Sequence, residues 1–346
     1  MNRLSRIGRH FEISDVPPMK VVITGASGNI GYILSFMVAQ GRLLGPSQPI
    51  DLWLLEIPQM AKSLEGVRME LIDSAFPCVR KIVASTNQTE AFKNANIALL
   101  VGAKPRGPGM KRKDLLEANA KIFSSQGEII NKVADKNIKI VVVGNPANTN
   151  AVIIASKATR INKRNITALT RLDQNRAMGQ LSEKLQVPVS SIRNVTVWGN
   201  HSASQYPQVD NAELVSGQKL SDALAKEGKW VRESFIPRVQ KRGAEIIKMR
   251  KKSSAASAAS STCDHIHDWL VGTRPGEWVS MGVLSDGNPY GVQDGLIFSF
   301  PVKCLRGKWE IVRGLNVSGQ FSQDKLKKTE LELATEKATA MKVLGM

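Results

Sequence analysis

The sequence predicts an α/β protein, with a doubly wound, mostly parallel sheet over residues 19–170 and an α+β segment over 171–346. Three observations lead there. Aliphatic and β-branched runs alternate with stretches of helical periodicity through the first half, as expected where helices cover both faces of a parallel sheet. A glycine-spaced turn joins the first run to the first helical stretch. Beyond about residue 170 the alternation gives way to long helical stretches mixed with irregularly spaced strand-like pieces. At 346 residues and 42% hydrophobic content, the chain can bury one large core or two adjoining ones.

Residues 1–18 read as a basic N-terminal extension. In "MNRLSRIGRHF", Arg3, Arg6 and Arg9 stand without an acid beside Leu4, Ile7 and Phe11. A short mitochondrial transit segment has this pattern, and so does a plain basic tail. Glu12 and Asp15 end it, and Pro17-Pro18 separates it from the core. The tail and the chain's basicity tilt the expected compartment toward the mitochondrial matrix rather than the cytoplasm, and away from secretion.

The first strand is the run Val21–Thr24, followed by the turn "GASGNIG" and an apolar segment of helical length. "PIDLWLLEI" is the second strand and "AKSLEGVRMELID" the helix behind it. Further strands fall at Lys81–Ala84, Ile97–Val101 and Ile138–Val143. The last two are separated by the basic loop "GAKPRGPGMKRKD" (Gly102–Asp114) and a long helical stretch. In the second half, helices are expected around Asn175–Leu185, Lys229–Met249 and Asp324–Val343, with strands in "IRNVTVW", "EWVSMGV" and "GLIFSFPV". "SSAASAASST" (Ser253–Thr262) has a linker-like composition, but its alanines favour a helix.

Composition narrows the function. The formal charge of +18 allows contact with nucleic acid or with anionic surfaces. No basic block is interleaved with aromatics, and Phe, Trp and Tyr make up only 5%, which argues against a stacking platform for single strands. Cys78, Cys263 and Cys304 are far apart and form no CxxC pair, so neither a disulfide framework nor a metal site is expected. No apolar run reaches the length of about 18 residues that would span a membrane.

Gly25, Gly28 and Gly31 stand at G-x-x-G-x-x-G spacing between a strand and a helix. Small residues there permit a tight turn and let the backbone approach a pyrophosphate lying on the helix N-terminus. Glu56 ends the next strand, 25 residues after Gly31. A carboxylate at that place accepts hydrogen bonds from the adenosine ribose hydroxyls and repels a 2′-phosphate, favouring NAD over NADP. A solvated strand-end acid would look the same. In "VVVGNPANTN" (Val141–Asn150) an apolar run stops at Gly-Asn-Pro, putting Asn145 where open sheets bind ligands or simply in a turn. "TRLDQNR" places Asp173 and Arg176 three apart on one helix face, a spacing that surface ion pairs share. "VTVWGNHSASQYP" delivers His201 just after a strand. The chain's four histidines offer few candidates for a general base: His10 lies in the tail, and His265 and His267 lie in a helix that reads as structural.

Taken together, "GNPANTN", "TRLDQNRA", "WGNHS", "SSAASAAS" and "SDGNPYGV" resemble the cytosolic-type malate dehydrogenase branch of the lactate/malate dehydrogenase family, from Met19 onward. The resemblance implies a Rossmann-type nucleotide domain, NAD as cofactor, malate or oxaloacetate as substrate, and a homodimer. It implies that His201 accepts the substrate proton while held by Asp173, that Arg176 binds the C1 carboxylate, that Arg106 binds the distal carboxylate, and that Arg112 polarises the reacting carbonyl. Asn145 would touch substrate and nicotinamide ribose. Val143, Gly144, Asn119 and Gln126 would join Gly25, Gly28, Gly31 and Glu56 around the cofactor, with the helix near Ser253–Ser257 beside the nicotinamide. Two substrate carboxylates call for two arginine forks. Losing the distal one would leave a buried charge unpaired at a cost of about 3–5 kcal/mol, so Arg106 favours a four-carbon diacid over pyruvate. The basic loop then reads as a lid shaped by Gly107, Pro108 and Gly109. Its wording, with "LGPSQPIDLWLLE", also resembles plastid NADP-linked relatives, but Glu56 and the absence of cysteine from both tails favour NAD without a thiol switch. A 2-hydroxy-acid dehydrogenase of changed substrate or nucleotide preference, and a nucleic-acid-associated protein on the same scaffold, are the alternatives.

Overall fold

A computed structural model describes the backbone of residues 16–104 and 112–346. Six parallel strands form the first half of one sheet: β1 (Met19–Thr24), β2 (Ile50–Leu55), β3 (Val79–Ser85), β4 (Ile97–Leu100), β5 (Lys139–Val142) and β6 (Ile166–Ala168). They lie in the order β3-β2-β1-β4-β5-β6. The order reverses between β1 and β4, which makes a crevice at their carboxyl ends. β4 is buried throughout, and its apolar run "IALL" shows none of the alternation of a half-exposed strand, as a strand covered on both faces requires.

Two short pairs follow: β7 (Ile192–Arg193) and β8 (Thr196–Trp198), each joined by a later strand, β9 (Tyr206–Gln208) on β8 and β10 (Glu213–Leu214) on β7. The strands β11 (Val279–Leu284), β12 (Ile297–Leu305) and β13 (Lys308–Ile311) then continue the main sheet antiparallel beyond β6, giving nine strands in all. The junction is the single pair Gly282 with Ala168. A Cβ at Gly282 would lie 2.8 Å from that of Ala168, so glycine lets the two backbones meet. β6 was not among the strands expected from sequence. Three residues, "ITA", flanked by a turn on one side and a helix start on the other, carry too little periodicity to be seen.

The longer helices are α1 (Asn29–Ala39), α2 (Ala61–Asp73), α3 (Arg112–Val133), α4 (Ala147–Lys157), α5 (Arg171–Leu185), α6 (Ile236–Arg250), α7 (Ala256–Leu270) and α8 (Gln320–Val343). The serine- and alanine-rich stretch opens α7, as its composition suggested. α3 packs on α4, α7 on α1, and α8 on both α3 and α4. Among the described residues no helix is long and apolar enough to cross a membrane.

His265 lies inside α7, fully buried, with Nε2 3.0 Å from Thr167 Oγ1. Burial lowers its pKa to about 3, and the charge of Arg171 pushes the same way. The folded state therefore holds His265 neutral while the unfolded chain protonates it at an ordinary value. Stability from this group is full above the unfolded pKa and drains as pH falls toward about 3, on the order of a few kcal/mol in total. Denaturant titrations of His265→Gln between neutral and acid pH should show a flatter acid dependence than the parent. Parallel curves would contradict this.

Candidate active site

At the nucleotide end, the β1–α1 turn approaches the end of β4 at van der Waals contact. Gly25 adopts φ +65°, and a Cβ there would sit 2.6 Å from Gly102 Cα. A Cβ at Gly31 would sit 2.1 Å from the Gly25 carbonyl oxygen. Both positions therefore exclude any side chain. Gly28 is the N-cap of α1, with no side chain capping the helix and no acid in its first turn, so the helix presents uncapped N–H groups to the crevice. Glu56 stands beside this turn. Its Oε1 accepts from Ser27 Oγ at 2.9 Å and from Ser27 N at 3.3 Å, and its Oε2 accepts from Ile57 N at 3.1 Å. The carboxylate is thus held at the β2 end.

At the end of β5, Val143 N and Gly144 N both donate to Leu100 O at 3.0 Å. A Cβ at Gly144 would fall 2.8 Å from Ala103 Cβ and 2.9 Å from Phe123 Cζ. Asn145 is exposed and joined to Pro146 by a cis peptide. Asn119 is fully buried; its Nδ2 donates to Asn145 O at 3.1 Å and Leu115 O at 3.0 Å, while its Oδ1 accepts from Lys104 N at 2.8 Å. Its amide ties three backbone segments together at the root of the basic loop. Gln126 is buried on α3 with Oε1 free of any protein partner.

A second cluster is assembled from α5, the turn after β8 and the segment that leads into α7. Asp173 lies in the first turn of α5, completely buried, and Arg176 follows one turn later. His201 follows β8, and its Nδ1 is hydrogen-bonded to Asp173 Oδ2. Arg176 Nη1 lies 3.2 Å from Asp173 Oδ1, and Arg176 Nη2 donates to Ser254 Oγ at 3.2 Å. Arg176 Nε is buried without a partner. Burial alone would raise the Asp173 carboxyl, but the charge and hydrogen bond of His201, with Arg176 behind them, outweigh it and hold the group below the usual carboxylate range. An ionised Asp173 makes Nδ1 the donor nitrogen and leaves Nε2 of a neutral imidazole as a proton acceptor.

The structure thus brings together Asp173, Arg176 and His201, and separately Gly25, Gly28, Gly31 and Glu56. Arg106 lies outside the described residues, as do Gly107, Pro108 and Gly109, the proposed hinge of the loop, and the side chain of Arg112. Sequence reasoning missed Asn148. Its Oδ1 accepts from His201 N at 2.9 Å, and its Nδ2 donates to Ile297 O at 2.9 Å and Gly199 O at 3.3 Å. The signal was available in "GNPANTN", where Asn148 stands three past Asn145 on the helix that follows β5.

Models of two domains match the chain: the NAD-binding domain of lactate/malate dehydrogenase over residues 19–167, and the α/β C-terminal domain of lactate/malate dehydrogenase over 170–344. The chain belongs to the lactate/malate dehydrogenase family. A relative in this family, the malate dehydrogenase of Nicotiana tabacum, is 51% identical over 94% of this chain and 98% of its own. The cytoplasmic malate dehydrogenase of Beta vulgaris is 50% identical over 95% and 99%. Among solved family structures, the malate dehydrogenase of Naegleria fowleri superposes with a TM-score of 0.90 at 43% identity, covering 95% of this chain and 99% of that one. The lactate dehydrogenase of Trichomonas vaginalis, in complex with NADH and oxamate, does so at 0.90 and 39%, covering 94% and 99%. These relatives correct the expected mitochondrial compartment. Several of them, from Beta vulgaris, Zea mays and Medicago sativa, are named cytoplasmic enzymes, which points to the cytoplasm. Three arginines spread through a short tail are a pattern that any basic extension shares, so the pattern by itself does not specify a compartment.

Proposed function

We propose that this chain is an NAD-dependent malate dehydrogenase, moving a hydride reversibly between malate and the nucleotide. The observation that carries the reading is the buried Asp173 carboxylate holding both His201 and Arg176 in a chain half identical to malate dehydrogenases. When bound, NAD accepts the hydride leaving C2. The chain's own residues do the rest. His201 Nε2 takes the C2 hydroxyl proton, and Asp173 stabilises the imidazolium that results. The Arg176 guanidinium forks onto the C1 carboxylate. In reverse, protonated His201 returns the proton to the ketone oxygen of oxaloacetate.

The cofactor fits the turn described. Side chains are excluded at Gly25 and Gly31, the N-terminus of α1 is uncapped, and we assign the ribose hydroxyls to Glu56, which is held beside this turn. We assign Val143, Gly144 and Asn145 to the nicotinamide half, with Gln126 nearby. Asn119 acts by holding Asn145 in place, because its own amide is committed to backbone groups. Arg106 and Arg112 are assigned to the distal carboxylate and the reacting carbonyl on their sequence positions. The boundary between nucleotide and catalytic parts is put at residue 170.

Purified protein should oxidise NADH on addition of oxaloacetate, far faster than NADPH and far faster than with pyruvate. No turnover with either nucleotide would refute the reading. We also assign a homodimer. Ile57, Met60, Met69 and Ile72 lie exposed on α2 and the turn before it, an apolar surface of the kind a second copy covers. Sedimentation should return twice the chain mass of 37.8 kDa; a monomer at assay concentration would contradict the assignment.

A further inference from the structure

Helix α8 carries Thr329, Glu332 and Glu336 at helical spacing, and all three bond toward the turn that holds His201 or toward α4. Gly199 passes so close to Thr329 that a Cβ would lie 2.2 Å from its hydroxyl oxygen. Asn200 N donates to Thr329 Oγ1 at 2.8 Å. A single oxygen of Glu332, Oε2, accepts from Asn200 Nδ2 at 2.9 Å and also from the hydroxyls of Ser202 and Ser204. One turn on, Glu336 Oε2 accepts from Thr149 Oγ1 at 2.7 Å, next to the Asn148 that receives His201 N. Asn200 is buried, so its amide finds little water to replace this acceptor, while Ser204 Oγ also reaches Thr329 Oγ1 at 2.9 Å.

We propose that Glu332 is a positioning residue for the reaction: its Oε2 ties the residues on both sides of His201 to α8 and so fixes the imidazole against the substrate hydroxyl. This rests on His201 being the proton acceptor. The bonds to Oε2 all ask for an acceptor at that point. An amide oxygen can occupy it, whereas a methyl group cannot.

Glu332→Ala is expected to lower kcat by about 10- to 100-fold through misplacement of the imidazole. The KM for NADH should not change, since the glycine turn and Glu56 hold none of these bonds. Glu332→Gln should stay within about 3-fold of the parent. In a His201→Asn background, Glu332→Ala should cause no further loss, because the group it positions is gone. If Glu332→Ala does not fold, Ser202→Ala removes one donor from the same oxygen and should lower kcat by about 3- to 10-fold with the same non-additivity. The proposal is overturned by a parental kcat in the folded Glu332→Ala (or in its Ser202→Ala substitute), by Glu332→Gln as impaired as alanine, or by an equal loss in the His201→Asn background. A parental kcat in His201→Asn itself would refute the proton-acceptor assignment instead.

Discussion

Asp173→Asn is expected to lower kcat for malate oxidation by about 10²- to 10⁴-fold while leaving the protein folded. The reasoning starts from burial. Asp173 is fully enclosed, with one oxygen on His201 Nδ1 and the other on Arg176. In the proposed mechanism its carboxylate fixes the imidazole with the proton on Nδ1 and stabilises the positive charge that forms when Nε2 takes the substrate proton. An asparagine at the same place presents an N–H or a neutral oxygen to Nδ1. Presented as a donor, it selects the wrong tautomer; presented as an acceptor, it gives up the charge. Binding of NADH should be nearly unchanged, because the glycine turn and Glu56 are built from other elements. Kinetics read beside NADH fluorescence titration check this. A variant that keeps its kcat, or loses NADH affinity and kcat together, would count against the role assigned to the carboxylate.

Arg176→Gln is expected to reduce kcat/KM for oxaloacetate by about 10²- to 10³-fold, corresponding to about 3–4 kcal/mol for an arginine removed from a desolvated carboxylate. The side chain is shielded, with Nη1 on Asp173, Nη2 on Ser254 and Nε buried without a partner. In the proposed mechanism an incoming carboxylate supplies the acceptor that this nitrogen lacks. Two effects combine in the variant. The substrate loses its fork, and Asp173 loses the permanent charge of Arg176 beside it, so a fall in kcat should accompany the rise in KM. Arg176→Lys separates the two, since an ammonium keeps the charge but cannot form the fork. Substantial loss in the lysine variant supports bidentate binding; parental kinetics would show that charge alone suffices.

Much of the fold could be read directly from the residues. The glycine turn, the β-branched runs and the helical spacing of 61–73 each carry a local signal that packing preserves. The three-residue β6 carries none, and its membership in the sheet depends on neighbours across the fold. At the site the limits were of another kind. Asp173 and Arg176, three apart, have the spacing of a solvated surface pair, and only the packing of α5 beneath the His201 turn converts them into a buried couple. Asn148 sat inside a recognised motif, yet its role depends on the turn at 199–201. Thr329 and Glu332 were invisible because the groups they bond lie more than a hundred residues earlier in the chain, and no periodicity links two such distant segments.

The central claim is that His201, held by Asp173, moves the substrate proton. The most direct measurement is oxaloacetate reduction by His201→Asn, with NADH affinity measured on the same preparation. The account predicts a kcat lower by about 10²- to 10⁴-fold at unchanged NADH affinity. A kcat within a few-fold of the parent would contradict it.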